Sequence, residues 1–190
     1  SGGFKANAAY WVDDRSGKFV TSSYYKKEIP QWVEKFNKNK YHEEYFNRSW
    51  KLRDTITAYK HSLPDSNKYE YGFDAEFKEF PYNYEEIKTH YTGNKFIKMI
   101  PEGNTLTTDF SVTCMLEEKL GDDDIPDVLM INYHVPDNIG LFFGPDSKEM
   151  QDLILKLDKE IAHLTDVIED ETGKSNTLFF LTASSGLGSN

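Results

Sequence analysis

Asp137 is the residue whose setting first suggests chemistry. It follows a near-continuous apolar run, Val128-Leu129-Met130-Ile131, and precedes Gly140, Gly144 and Pro145. The run reads as a strand over about 127–134, buried on both faces as in a helix-covered parallel sheet. In open α/β sheets ligands bind beyond the carboxyl ends of such strands. Asp137 is therefore placed for a metal ligand or a catalytic acid. His134 stands shortly before it. On a strand His134 shares a face with Met130 and Asn132 and reads as a hydrogen-bonded structural histidine. Ser184 and Ser185 follow a second apolar run, Thr177-Leu178-Phe179-Phe180-Leu181-Thr182. A Ser-His-Asp hydrolase would join one of these serines to His134 and Asp137. The Gly-x-Ser-x-Gly turn that exposes such a nucleophile is absent from the sequence. Gly186-Leu187-Gly188 lacks the third glycine and the following helix of a phosphate loop.

The elements that must position these residues can be read in order. Ala9-Tyr10-Trp11-Val12 and Phe19 to Tyr25 are β-prone runs around the turn Asp13 to Lys18. Pro30 suits the first turn of a helix carrying Trp32, Val33 and Phe36. Residues 41–95 are the least periodic part and read as a loop-rich cap whose aromatics form its own small core. Gly103-Asn104-Thr105 precedes a helix predicted from about Leu106 to Leu120 and ended by Gly121. After the 127–134 strand, Asp146-Ser147-Lys148-Glu149 reads as a capping box. Met150, Leu153, Ile154, Leu157, Ile161, Leu164 and Ile168 then recur at steps of three and four along one helix face. Thr172-Gly173 ends that helix, and the run 177–182 reads as a second strand. Strand, helix, strand makes a βαβ unit with a right-handed crossover. The division implied is a cap-like region, 1–100, and an α/β core segment, 101–190.

Composition narrows the partners. The formal net charge is −10 among 190 residues, which argues against a nucleic-acid surface. Asp122-Asp123-Asp124 lacks the alternating spacing of a calcium loop and reads as a solvated turn. The single cysteine, Cys114, excludes an intrachain disulfide and a Cys-rich zinc site. It reads as a core thiol. No stretch is apolar for the roughly 18 residues that a membrane-spanning helix needs.

Several stretches together carry a resemblance. They are Ala9-Tyr10-Trp11, Thr21-Ser22-Ser23-Tyr24-Tyr25, Pro30-Gln31-Trp32-Val33 with Phe36-Asn37, and Gly103-Asn104-Thr105-Leu106-Thr107-Thr108-Asp109-Phe110. Phe143-Gly144-Pro145, Leu157-Asp158-Lys159 and Phe180-Leu181-Thr182-Ala183 complete them. In this order and approximate spacing the chain resembles the bacterial phosphate-irrepressible branch of the alkaline phosphatase superfamily. That superfamily also holds type I phosphodiesterases, nucleotide pyrophosphatases and sulfatases. The resemblance implies an α/β fold with a partial parallel sheet, covering helices and an aromatic-rich loop/β cap. It also implies a zinc-dependent phosphoric ester hydrolase, exported to the periplasm.

The residues depart from that pattern where it matters. The resembled enzymes carry Asp-x-x-Gly-His after the first strand, with Asp and His as metal ligands. This chain has Asp137-Asn138-Ile139-Gly140-Leu141, and an isobutyl group cannot coordinate zinc. After the second strand they carry Thr-Ala-Asp-His-Gly, and here the sequence is Thr182-Ala183-Ser184-Ser185-Gly186. Serine hydroxyls are poor zinc ligands at neutral pH. Asp137 is thus the one family ligand position retained, and Leu141, Ser184 and Ser185 are degenerate positions. The resemblance places the nucleophile, its metal-bound Asp and a last His outside residues 1–190. The expectation is a catalytically inactive domain with a binding, scaffolding or regulatory role and no resident cofactor. The alternative is a fragment of a zinc-dependent phosphomonoesterase or phosphodiesterase completed by other chain. The partner would be an unknown protein or a small phosphorylated ligand. An open sheet edge should be covered by the cap, by the N-terminal strands or by another copy of the chain.

Overall fold

The computed structural model describes residues 5–183. The chain begins with the expected hairpin, β1 (Trp11–Val12) and β2 (Phe19–Val20), antiparallel with Trp11 opposite Val20 and Val12 opposite Phe19. Asp13 builds the turn. Its carboxylate accepts from the Ser16 amide at 2.8 Å and the Ser16 hydroxyl at 2.7 Å, and Gly17 takes φ 66°. The second strand stops at Val20 instead of running to Tyr25, because Thr21 Oγ1 turns to the Ala9 carbonyl and a turn follows. Helix α1 (Gln31–Lys38) starts after Pro30 and buries Val33 and Phe36.

Short elements fill the aromatic-rich middle. They are α2 (Tyr41–Tyr45), β3 (Ser49–Trp50), β4 (Tyr82–Asn83) and α3 (Tyr84–Ile87), with β3 and β4 paired antiparallel. Tight 3-10 turns at Lys88–His90 and Lys95–Met99 lead into α4 (Glu102–Glu117). That helix starts one turn earlier than the sequence suggests. Pro101, at φ −53°, already has helical backbone, and Gly103 is part of the first turn. Gly103 is required there by close approach, since a Cβ would stand 2.2 Å from the Ile97 carbonyl oxygen. The helix ends at Glu117 rather than Leu120, where Lys119 enters the left-handed region at φ 55°.

Two long expectations are corrected. Residues 127–134 form no strand; they lead without regular structure into α5 (Val135–Phe143). Residues 177–183 likewise have no regular structure and no ladder. The apolar pattern is strand-like, but a strand exists only with a hydrogen-bonding neighbour. Among the described residues neither segment has one. The chain is α/β, yet among the described residues its sheets are two separate antiparallel pairs, with no right-handed parallel crossover. Neither the cap nor the N-terminal strands cover the two segments, because Val128 is 82% and Phe180 86% exposed.

Helix α6 (Lys148–Thr172) matches the sequence reading in length, with Gly173 as C-cap at φ 86°. Its start differs by one residue. Ser147, not Asp146, is the N-cap, its Oγ accepting from the Met150 amide at 3.1 Å. Glu149, read as the box partner, turns inward and is fully buried.

One hydrophobic core joins these pieces. Phe110 of α4 is a hub. It stacks on Phe19 at 3.6 Å and meets Phe36 edge-on at 5.2 Å and Tyr10 at 5.5 Å. Phe73 is a second hub, edge-on to Tyr82, Phe96 and Phe143. Cys114 is half-buried, and burial with the nearby Glu118 charge pushes its thiol up to about 11.

The polar interior centres on Asp152 of α6, which is fully buried. Its carboxylate accepts from Trp50 Nε1 at 2.6 Å, the Arg53 amide at 2.7 Å and the Tyr59 hydroxyl at 2.6 Å. Lys156, one turn on, reaches it at 2.7 Å. Burial raises the Asp152 pKa, but hydrogen bonds from Lys156, Trp50 and Tyr59 outweigh it, and the net shift is downward. Nearby Glu149 and Glu70 show the opposite balance. Glu149 Oε1 accepts from the Tyr82 hydroxyl at 2.6 Å, while Glu149 Oε2, Glu70 Oε1 and Asp65 Oδ1 have no hydrogen-bond partner among the described residues. Burial, then repulsion from nearby carboxylates (Glu70 and Asp65 for Glu149, Asp65 for Glu70), lifts Glu149 to about 8 and Glu70 to about 7.

Two outcomes are expected. Asp152→Ala leaves the Trp50 and Tyr59 donors and the Lys156 charge unpaired, and should cost about 3–5 kcal/mol in urea unfolding. Stability should also fall as pH rises from about 5 to 8. Over that range folded Glu149 and Glu70 keep protons that the unfolded chain, with glutamates near 4.5, has released. The depressed Asp152 pulls the other way, its contribution being lost as pH falls through the acid range. Glu149→Gln keeps an acceptor for Tyr82 and should flatten the alkaline decline of the melting temperature. An unchanged slope would show that these groups are not buried as described.

Candidate functional site

Helix α5 positions the residue from which the sequence reading started. Val135-Pro136 opens the helix, with proline in the first turn where no amide partner is needed. Asn138 Nδ2 donates to the Lys98 carbonyl at 2.7 Å, and Ile139 and Gly140 are buried, so the helix lies on the 95–99 turn. Gly144 closes it at φ 91° with open space around its Cα, so conformation alone calls for glycine.

Asp137 therefore sits in the first turn of a helix, not in a loop beyond a strand. Its Oδ2 lies 3.4 Å from His134 Nδ1, and both side chains are about half exposed. His134 is at the N-cap position of α5, so the strand face expected for it with Met130 and Asn132 does not exist. A half-exposed contact with Asp137 stands in place of the buried hydrogen bonding expected there. Leu141 is one helical turn beyond Asp137, on the same face, and 72% exposed. Ser184 and Ser185 lie outside the described residues.

This donor set does not fit a zinc centre. Structural zinc takes four protein ligands and catalytic zinc three, at about 2 Å. Around Asp137 the described residues offer one carboxylate, one imidazole and an isobutyl group. Among the described residues no group of three or more His, Cys, Asp and Glu is placed to hold a metal. A Ser-His-Asp arrangement cannot be traced, since only His134 and Asp137 of its members are described. An exposed pair at this distance contributes little to stability.

The sequence reading missed a group of strongly perturbed carboxylates. Asp152, Glu70 and Asp65 carry no motif, and Glu149 reads only as a capping-box partner. Asp152 and Glu149 sit on the inward face of α6, and the tyrosines and tryptophan that partner them lie some 70 to 100 residues away. Asp152, Glu149 and Glu70 are buried and Asp65 is half-buried, and each accepts at least one hydrogen bond from the protein. They are part of the fold's interior.

Comparison with known proteins bears on the whole chain. Residues 1–190 match the family described as type I phosphodiesterase / nucleotide pyrophosphatase. A protein of Myroides odoratus named calcium-transporting ATPase is 38% identical over 191 residues, covering 99% of this chain and 35% of that one. Alkaline phosphatase PhoV of Synechococcus elongatus is 35% identical over 188 residues, covering 97% of this chain and 34% of the relative. Alkaline phosphatase PafA of Elizabethkingia meningoseptica is 35% identical over 185 residues with the same coverage. The crystal structure of wild-type PafA superposes with a TM-score of 0.85 and 34% identity, over 92% of this chain and 34% of PafA. The chain thus spans about a third of the length of the relatives it matches. The resemblance drawn from the short stretches between Ala9 and Ala183 holds, and on the match over all 190 residues the chain belongs to the type I phosphodiesterase / nucleotide pyrophosphatase family.

Proposed function

We propose that this chain is a catalytically inactive alkaline-phosphatase-like unit with a binding, scaffolding or regulatory role. The observation that carries the reading is Leu141. It occupies the position one turn from Asp137 where the family pattern has a ligating histidine, and it presents an apolar side chain to solvent there. Ser184 and Ser185, at the other two ligand positions, add to it. Buried or clustered carboxylates and imidazoles without a metal repel one another at a cost, and leucine and serine relieve it. Zinc, the metal of the resembled enzymes, is not expected to reside here. An unknown protein or a small phosphorylated ligand is the proposed partner, and the net charge of −10 argues against nucleic acid. An exported, periplasmic location follows from the resemblance. The cap-like 1–100 and α/β 101–190 division is kept as part of this proposal.

A second reading has one observation in its favour. The relatives that carry alkaline phosphatase in their names extend well beyond the matched third. The chain would then be a fragment of a zinc-dependent phosphomonoesterase or phosphodiesterase whose nucleophile and remaining ligands lie outside it.

A chimera separates the two. The segment of Elizabethkingia PafA that matches this chain is replaced by this chain. Zinc content and turnover of p-nitrophenyl phosphate and bis-p-nitrophenyl phosphate are then measured. The expected result is a folded chimera with well under one zinc per chain and no turnover, and recovery of both by Leu141→His with Ser184→Asp and Ser185→His. Near-stoichiometric zinc with turnover before those substitutions would make the inactive reading wrong.

A further inference from the structure

Between Tyr59 and Phe73 the chain crosses the joint of α5 and α6 with turns and bends but no helix or strand. Both ends are anchored. The Tyr59 hydroxyl is held by Asp152, and Phe73 is the second aromatic hub. The middle is tied to the joint at two places. The Leu63 amide donates to the Asp146 carbonyl at 2.8 Å, and Lys148 Nζ donates to the Leu63 carbonyl at 2.6 Å. Further on, the Tyr71 and Gly72 amides both donate to the Phe142 carbonyl, at 2.8 and 3.0 Å. Gly72, at φ 73°, then turns the chain into Phe73. Tyr69 is 74% and Tyr71 56% exposed, so little apolar burial holds the middle down. A segment of irregular backbone with exposed side chains lies at the low end of local stability.

Three carboxylates meet at this crossing, close enough for their charges to act on one another. Asp65 and Glu70 belong to the crossing segment, and Glu149 to the first turn of α6. Glu149 and Glu70 are buried and Asp65 is half-buried. Each has one oxygen bonded. Glu149 accepts from the Tyr82 hydroxyl at 2.6 Å, Glu70 from the Asn67 amide at 3.3 Å and Asp65 from the Phe80 amide at 3.3 Å. The other oxygen of each has no partner among the described residues. The charges that face them are Lys148, Lys78 and Glu79. Both ammonium groups are committed to carbonyls of the segment, Lys148 to Leu63 and Lys78 to Glu70, the latter at 2.8 Å. Unpaired carboxylate oxygens gathered in one buried place are tolerated only while protons remain there.

We propose that residues 60–72 form a proton-operated strap, closed over the α5–α6 joint while Glu70 and Glu149 are neutral and released at its middle when they ionise. The release is local, because Tyr59 and Phe73 stay anchored. It uncovers the Phe142 ring, on which Tyr71 packs at 6.1 Å, and the last turn of α5 next to Leu141. The direction follows from the protons. In the closed form burial holds Glu149 at about 8 and Glu70 at about 7, whereas in water both titrate near 4.5. Each therefore gives up a proton on opening. Opening grows as pH rises from about 5 to 8 and levels off above that. Lys148 and Lys78 favour the charged form of Glu70 and temper the rise. Alkaline solution thus has the freer access to this end of α5, whether or not the neighbouring site is active.

Amide hydrogen exchange in the 190-residue chain tests the strap, with rates corrected for the pH dependence of the chemical step. From about pH 5.5 to about 8.5 the amides of Leu63, Tyr71 and Gly72 should lose protection by on the order of tenfold or more, while those in the middle of α6 keep theirs. Glu70→Gln with Glu149→Gln should hold the strap's protection constant over that range, with an unchanged circular dichroism spectrum. Carbon-13 NMR of the glutamate carboxyl groups needs no variant and decides the matter if the double variant does not fold. Two of them should titrate well above the ordinary range, over the pH span in which protection is lost. Strap protection that does not change with pH would overturn the inference. Loss in step with α6 would also overturn it, since that marks global unfolding. Loss that persists in the folded double variant, or glutamates that all titrate near 4.5, would do the same.

Discussion

The buried carboxylate of Asp152 holds the two halves of this chain to one another. It sits on α6 and gathers donors from Trp50, Arg53 and Tyr59, the tryptophan being 102 residues away in sequence. Each donor leaves water for a single acceptor, and Lys156 balances the charge. A group so placed is tolerated only because every bond is made. The irregular segment after β3 has little regular structure of its own. Its path is fixed by these bonds, by Lys156 to the Lys51 carbonyl and by Lys148 to the Leu63 carbonyl. The aromatic core then closes around that frame.

Local signals in the sequence were sound where local physics decides. Turn chemistry at Asp13 to Gly17 gave the hairpin, Pro30 the start of α1, and the three-four periodicity the whole of α6. Where a signal could be satisfied in two ways, the neighbours chose. Ser147 capped α6 because Glu149 had a buried partner in Tyr82. Gly103 read as a breaker, yet it lies within α4 because the Ile97 carbonyl leaves no room for a Cβ. The apolar runs at 128–131 and 177–182 have strand-like sequences, but a ladder is a property of two segments, and within the described residues the second is missing.

The candidate site was legible as a list of residue types and not as an arrangement. Asp137 and Leu141 do share a face, though on a helix rather than in a loop. His134 was assigned to a strand and lies at a helix start, where it meets Asp137. Glu149 and Asp152 are three apart on a predicted helix and so share a face, but nothing in the spacing of Asp65 and Glu70 marks them as neighbours of that pair. Their perturbation arises from burial under side chains contributed by residues far away in sequence.

The stacking of Phe19 on Phe110 carries a kinetic consequence. The hairpin is complete as a local unit, with its turn bonded internally, so it can form early. Its aromatic partner lies about ninety residues further along, and bringing the two together pays the entropy of closing a long loop before the stack returns anything. The same holds for Trp50 and Asp152. The interior of this chain is therefore assembled late, from preformed pieces, and refolding should be slow for a protein with this much helix.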